Sequence, residues 1–470
     1  MSAEDSNIKA ELLALRQALE VEKQKNQILT NEIRYRLGNV LIDLYYEPAT
    51  LFKLPSKILS LYKEGKSKQQ RSFAQTSDPP ASFKSIDSTN INLSAFSYEK
   101  DLELYLNTLD HLKTDKPFVF IFSGTIEIQK KRANRPIRQA LSLLEDSYPV
   151  FFSYFRWNQS DEIPKSSNPL LFQSPIDKTM EKLERIAAFE FKNKRDKIFI
   201  LSFPFPEAVA FLDYFELKGW KTLYDVRDNW KEFHKVGMAP WYNEDAESFA
   251  SNRAQLVSCV SSPLREHIVK LSGRKDILVN TNAYDPDFKS PDFRKNEANT
   301  EKTIGYFGHL TEKWFDWKFM ISLAKKCPDF RFELIGHGHP QNLELPNNLI
   351  YLGFMGHDEI CKKAENWDLA IIPFKINELS RCVDPIKIYE YLALELPVVS
   401  LEMPQIDNYP HVATARTLNQ FIKKMKEKLQ EDFDTEAVNE WLEKRSWKNN
   451  TLSLISNLEK VEPGKDLESL

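Results

Sequence analysis

Lys387 and Glu390 stand three residues apart in the stretch Asp384-Pro385-Ile386-Lys387-Ile388-Tyr389-Glu390-Tyr391. On a helix that spacing puts an ammonium and a carboxylate on one face. Proline is tolerated in a first turn, so Pro385 predicts the start of such a helix. Ile386, Tyr389, Leu392 and Ala393 supply its apolar stripe, and Pro397 ends it. The run Leu369–Ile372 ahead of it reads as a buried parallel strand, and Val398-Val399-Ser400 opens the next one. A strand–loop–helix–strand unit then carries Lys387 and Glu390 near a helix amino end. Free N–H groups and the positive pole of the helix make that end a seat for phosphate. The plainer reading is a surface Lys–Glu pair on an ordinary α/β helix.

A second group is Tyr224-Asp225-Val226-Arg227-Asp228-Asn229-Trp230, where a short strand from Lys221 ends in two carboxylates, an arginine and a tryptophan. Carboxylates at a strand's carboxyl end can hydrogen-bond ligand hydroxyls or act as a base. Asp228 is the better placed of the two for a cleft role. The alternative is a helix-capping aspartate with an ion pair to Arg227. Three predicted strands end in glycine: the apolar run Pro117–Phe122 before Ser123-Gly124-Thr125, Thr303–Phe307 before Gly308, and Phe330–Ile335 before Gly336-His337-Gly338. Ligands of open α/β sheets collect beyond such ends, and glycine lets the backbone come close. Lys313 and Arg381 are candidate phosphate contacts, since a guanidinium matches phosphate oxygens bidentately; both could equally be solvated charges. His337 and His339 have no acidic or cysteine partner at ligand spacing, so no metal is called for. Asp432-Phe433-Asp434 and Asp285-Pro286-Asp287 end no strand of a nucleotide-binding half and read as chance.

The Pro-x-Lys-x-x-Glu-Tyr-x-Ala spacing from Pro385 to Ala393, behind the Pro373-Phe374 strand end, resembles the nucleotide-sugar motif of GT-B glycosyltransferases, in particular glycosyltransferase family 4 and its bacterial polysaccharide relatives. The Tyr224–Trp230 segment, Asn282-Ala283-Tyr284-Asp285 and Ser446-Trp447 are similar to further segments of that family. The resemblance covers about Phe118 to Trp447 and is densest from Gly305 to Pro397. It implies two Rossmann-like, doubly wound α/β domains about a metal-independent cleft. It implies that Glu390 holds the ribose hydroxyls and that Lys387 lies by the diphosphate, with Gly308, Lys313, Gly336, His337 and Gly338 about the base and phosphates. Gly124 would approach the donor from the other half, and Asp228, Arg381 and Lys387 would carry the chemistry. The expected reaction moves a sugar, with retention of configuration, from a nucleotide-diphosphate sugar to a glycan or lipid-linked acceptor of a surface polysaccharide; no cofactor is expected. Two other readings are a nucleotide-sugar 2-epimerase of the same fold and a non-catalytic GT-B scaffold. The sequence departs from the family at Cys382, where an acidic residue often stands eight positions before Glu390, and at Glu395, where glycine is usual.

The elements that must position these groups divide the chain as follows. Residues 1–72 are a helical extension. Its part 7–37 is heptad-like (Ile8, Leu12, Leu15, Leu19, Leu29, Ile33) and suits either self-association or packing on the chain's own body. Its part 38–72 mixes aromatics with Lys53, Lys57, Lys63, Lys66, Lys68 and Arg71, as an interfacial helix on anionic lipid would, or a helical pair covering an apolar patch. Residues 73–115 read as a linker with a short helix from Asp101 to Leu112. An acceptor domain spans 116–289, a nucleotide-sugar domain 290–425, and helices returning to the first domain 426–470.

At 470 residues the chain has room for two or three domains. Its net charge of −4 gives no global attraction to nucleic acid. Four scattered cysteines, without a CxxC pair, fit a reducing cytoplasm. A polar beginning and the lack of a run of about 18 apolar residues predict neither a secretory signal nor a transmembrane helix. The expected location is the cytoplasm, peripheral on the inner face of the membrane.

Overall fold

The computed structural model describes residues 93–461, apart from 113, 130–133, 157–160, 291 and 297–300. The predicted heptad helix, the membrane-surface segment and most of the linker lie outside the described residues. The helix Leu93–Leu109 falls inside the stretch read as linker and begins ahead of Asp101. Tyr98, Leu102, Tyr105, Leu106 and Leu109 are buried on its inner face. The Tyr98 hydroxyl meets Ser174 Oγ at 2.7 Å, and that of Tyr105 donates to the Val150 carbonyl at 3.0 Å.

Seven strands form the first sheet: β1 Phe118–Phe122, β2 Val150–Tyr154, β3 Leu171–Pro175, β4 Lys197–Leu201, β5 Trp220–Val226, β6 Leu256–Cys259 and β7 Ile277–Val279. Their order is β3-β2-β1-β4-β5-β6-β7, with every pair parallel. Six strands form the second: β8 Thr303–Phe307, β9 Arg331–Ile335, β10 Leu349–Tyr351, β11 Leu369–Ile372, β12 Val398–Leu401 and β13 Val412–Ala415. Their order is β10-β9-β8-β11-β12-β13, again parallel throughout. Both are doubly wound sheets, each with its direction reversal between the first strand and the one that follows the outer pair. Central strands such as β1 and β11 are apolar without interruption because helices cover both faces. Phe120 packs edge-on against Phe151 and Phe199, with ring centroids 4.8 and 5.0 Å away.

Two strands differ from the sequence reading. β3 is a polar sheet-edge segment, Leu-Phe-Gln-Ser-Pro, with no apolar run to announce it. β13 occupies Val412–Ala415, which the sequence reading did not mark as a strand, and is paired with β12. Between β3 and β4 stand two short helices, Ile176–Glu181 and Leu183–Ala188, broken at Lys182, whose φ is −120°. Glu395, at the family's glycine position, has φ +55° just past the helix Ile386–Ala393. That left-handed turn favours glycine; here the Glu395 carboxylate is held by Lys289 Nζ at 2.6 Å.

The chain joins the two sheets more than once. The Asn282 amide donates to Asp384 Oδ2 and its side chain donates to the Asp384 carbonyl, each at 2.6 Å. Ser261 Oγ donates to the Cys382 carbonyl at 2.6 Å. The final helix, Trp447–Glu459, capped by Ser446, leaves the second sheet and packs on the first. Leu454, Ile455 and Leu458 are buried there with Ile137, Ala140, Leu143 and Val150. The helix before it, Thr435–Glu443, stays on the second half, where Val438 and Leu442 are buried.

Candidate functional site

Lys387 and Glu390 lie on the helix Ile386–Ala393, which follows β11 at the second sheet's reversal point. The helix is buried from Ile388 to Ala393, so Glu390 is buried and Lys387, in its first turn, is half-buried. Lys387 Nζ sits 4.8 Å from the Phe374 ring centroid and 5.8 Å from that of Tyr306. Its stem runs beside Gly308, where a Cβ would come within 2.9 Å of Lys387 Cε. Among the described residues neither Lys387 nor Glu390 has a hydrogen-bond or ion-pair partner. Burial pulls the Lys387 ammonium down to about 8, with Glu390 opposing the shift. Burial likewise pushes the Glu390 carboxyl up to about 7, while Lys387 and Arg138 hold it back and Asp285 adds to it. Charges taken out of water are ordinarily paired, and these two lack such a pairing among the described residues.

The glycine-ended loops after β8 and β9 interlock beside Lys387. The Gly308 amide donates to the Ile335 carbonyl, and that of Leu310 to the His337 carbonyl, each at 2.9 Å. Gly336 has φ +146°, and a Cβ there would fall 1.8 Å from the Gly308 carbonyl oxygen. Only glycine fits such an approach. The rings of His309 and His337 meet edge-on at 4.2 Å. Thus Gly308, Gly336, His337, Gly338 and Lys387 are brought together. Lys313 is exposed on the turn beyond, without a partner among the described residues. Arg381 is also exposed; its guanidinium lies 3.9 Å from Glu266 and 3.7 Å from Glu378, and no contact joins it to Lys387. It lines a separate cavity of about 390 Å³ with Arg445 and Trp441.

Across from these residues, β1 and β5 deliver Gly124 and Asp228. Gly124 has φ +57°, and a Cβ there would strike the buried Phe203 ring at 2.4 Å. Burial pushes the Asp228 carboxyl up to about 6, against the pull of Arg227, whose Nε is 3.6 Å away. An aspartate so placed can take a proton near neutral pH. The next residue, Asn229, caps the helix Trp230–Lys235 and donates from Nδ2 to Cys382 Sγ at 3.6 Å. Asp228 therefore stands beside the contact between the halves. Cys382 is buried there, and its thiol is pushed up to about 11, so it is neutral at pH 7. It does not supply the charge of the carboxylate common at that position in the family.

Asp225, the other carboxylate of this segment, is structural. Arg135 grips it bidentately at 2.7 and 2.9 Å, and Gln139 and Ser258 complete its shell. Asp384 went unnoticed in the sequence because nothing in Val-Asp-Pro marks it. It is buried, pushed up to about 6 by that burial, and accepts from Asn282, Tyr389 and Tyr409. Asp434 of the chance Asp-x-Asp caps the helix Thr435–Glu443, and Asp285 pairs with Arg138. Among the described residues no three His, Cys, Asp or Glu side chains are grouped to hold a metal ion, and no helix is long and apolar enough to cross a membrane.

The pair of doubly wound parallel sheets is shared with known structures. The chain has a TM-score of 0.55 with sucrose-phosphate synthase from Thermosynechococcus elongatus, at 10% identity, over 73% of this chain and 98% of that one. It has a TM-score of 0.50 with Anabaena Alr3699/HepE in complex with UDP, at 14% identity, over 73% and 99%. The chain has the GT-B fold of glycosyltransferases. In sequence it is similar to a Bacillus subtilis (strain 168) protein provisionally named as the teichuronic acid biosynthesis glycosyltransferase TuaH, with 26% identity over 214 residues. That match spans 40% of this chain and 52% of the relative, about half its length. No protein-family model matches the chain.

Proposed function

We propose that this protein is a glycosyltransferase that moves a sugar from a nucleotide-diphosphate sugar to a hydroxyl of a glycan or lipid-linked acceptor in surface-polysaccharide synthesis. The observation that carries the reading is the pair of charges without a hydrogen-bond or ion-pair partner among the described residues, buried Glu390 and half-buried Lys387, beside the glycine loops at the reversal point of the second sheet. Lys387 and the helix amino end oppose the charge that gathers on the departing diphosphate, an electrostatic role in the transition state. Glu390 accepts from the ribose hydroxyls and so fixes the donor's register. Gly124 admits the donor closely from the other half, and Asp228 takes the acceptor's proton or orients its hydroxyl. UDP is the first nucleotide to test, because HepE of the same fold is described in complex with it.

Retention of configuration belongs to this reading through the family resemblance; proton NMR of the product's anomeric centre tests it. Peripheral membrane attachment through 38–72 and self-association through 7–37 belong to it too, and are tested by liposome flotation and sedimentation. The central experiment follows nucleotide release by the purified protein from a panel of nucleotide sugars, with and without acceptor. Release that falls at least tenfold in Glu390→Ala and Lys387→Ala supports the proposal. Undiminished turnover in both variants overturns the site. Isomerised donor without nucleotide release, in the presence of acceptor, marks a 2-epimerase. No binding of any nucleotide diphosphate marks a scaffold.

A further inference from the structure

Arg227 has no assigned part in the chemistry above, yet it is the least satisfied cation at the carboxyl edge of the first sheet. Its side chain is 12% exposed. A guanidinium has five N–H donors. The described contacts use two, both toward neutral acceptors: Nη2 to the Gly124 carbonyl at 3.2 Å and Nη1 to Asn134 Oδ1 at 3.5 Å. Nε is buried with no hydrogen-bond partner among the described residues. The nearest carboxylate, Asp228, is 3.6 Å from it, too far for a hydrogen bond. Asp225 is already saturated by Arg135, Gln139 and Ser258. Burial pulls the Arg227 guanidinium below its ordinary range, with Asp228 and then Asp225 supporting its charge from a distance.

The neighbours of this cation fix its direction of use. It lies across the Trp230 ring, with the guanidinium carbon 5.2 Å from the centroid, so one face is covered. It holds the carbonyl of Gly124, two residues past the end of β1 at the first sheet's own reversal point. Two positions further along, Asn229 touches Cys382 of the other half, so the arginine stands at the mouth between the sheets. A buried, under-paired guanidinium in such a place is suited to a planar or tetrahedral oxyanion, which it meets with two parallel bonds. Neutral hydroxyls gain far less from it.

We infer that Arg227 is an acceptor-binding residue and that the acceptor sugar carries an anionic group, a carboxylate or a phosphate, seated on Arg227 beside Gly124. This deepens the proposed function and rests on it for the word acceptor; the anion seat itself can be read without turnover. In that arrangement Asp228 is kept from closing on Arg227 and stays available to the hydroxyl that attacks.

The test is direct binding to the full chain, alone and saturated with UDP, by NMR or calorimetry. The probes are methyl β-glucuronide, glucose 1-phosphate and the neutral methyl β-glucoside. At least one anionic probe is expected to bind tenfold or more tighter than the neutral one. That preference should vanish in Arg227→Gln and partly return in Arg227→Lys, with the dissociation constant of UDP within twofold of wild type in both. The carboxylate and phosphate probes tell the two sources of the anion apart. Equal binding of neutral and anionic probes, or binding of neither anion, overturns the inference. So does loss of UDP affinity in Arg227→Gln, which would assign the arginine to the donor. A chain that binds no nucleotide diphosphate of any base but keeps an Arg227-dependent anion preference would sink the glycosyltransferase reading and leave the anion seat standing.

Discussion

Lys387→Met separates a ligand-binding charge from a structural one. The side chain is half-buried beside Phe374 and Tyr306, without a hydrogen-bond acceptor among the described residues. Its ammonium is pulled from an ordinary 10.5 to about 8. A displacement of that size corresponds to roughly 3 kcal/mol by which the empty protein disfavours the charge at pH 7. Methionine keeps the stem's contacts with the rings and removes that penalty. Glu390, already near 7, loses an opposing charge and takes up its proton more fully, which returns only about 0.5 kcal/mol at pH 7. The nucleotide-free variant should therefore be more stable than wild type by about 2 kcal/mol, read as a melting temperature higher by about 4 °C. Because the folded pKa lies below the unfolded one, the penalty is complete below pH 8 and fades as the pH climbs toward 10.5. The gap between the two melting curves should shrink over that range. UDP affinity should move the other way, weakening about 10- to 100-fold, the range for losing a charge-assisted bond of ~1.5–3 kcal/mol. Differential scanning fluorimetry and calorimetric titration measure the two halves. A variant that melts lower than wild type and binds UDP equally well would refute the reasoning, because Lys387 would then be part of the scaffold.

Further expectations concern the same surfaces. Glu390→Gln should weaken UDP binding about tenfold, as loss of an ionic acceptor does, and remove the rise of affinity that wild type should show as the pH passes upward through about 7, where the carboxylate forms; the loss of affinity above about 8, where Lys387 gives up its proton, should remain. Asp225→Ala leaves Arg135 as a buried unpaired cation, so a loss of about 3–5 kcal/mol is expected, read as little or no folded protein in circular dichroism melts. Asp228→Asn has no such network to break; its melting temperature should stay within about 2 °C of wild type, a stability change under ~1 kcal/mol, while transfer falls at least tenfold. Gly336→Ala places a Cβ 1.8 Å from the Gly308 carbonyl and should destabilise by about 3 kcal/mol or more. Gly353→Ala, at φ +80° but in open space, should cost only ~1 kcal/mol.

Elements that pattern alone decides were plain in the sequence. The uninterrupted apolar strands β1 and β11, and the Pro385–Pro397 helix, needed no tertiary information. β3 and β13 were not legible because each is a short edge segment with no continuous apolar run or clean alternation to mark it; hydrogen bonding to β2 and β12 makes them strands. The break at Lys182 and the early start at Leu93 are likewise decided by packing. At the site, the types and spacing of Lys387, Glu390 and the three glycine loops were readable, since glycine and charge announce themselves locally. What each carboxylate touches was not. Asp225 and Asp228 sit three positions apart in one segment, yet one is locked by an arginine some ninety residues upstream and the other is nearly free. The reach of Arg381 toward Glu266, away from Lys387, is equally a long-range fact.

The last helix has a consequence for how the chain is made. Leu454, Ile455 and Leu458 are part of the layer beneath Arg135–Glu145, more than three hundred residues earlier. During synthesis the amino-terminal lobe must wait, one face uncovered, until almost everything else has left the ribosome. A stop codon placed just before Trp447 would thus spare every residue around Lys387 and still expose greasy surface on the opposite lobe. Aggregation of the nascent protein, rather than a dead catalyst, is how such a truncation should declare itself.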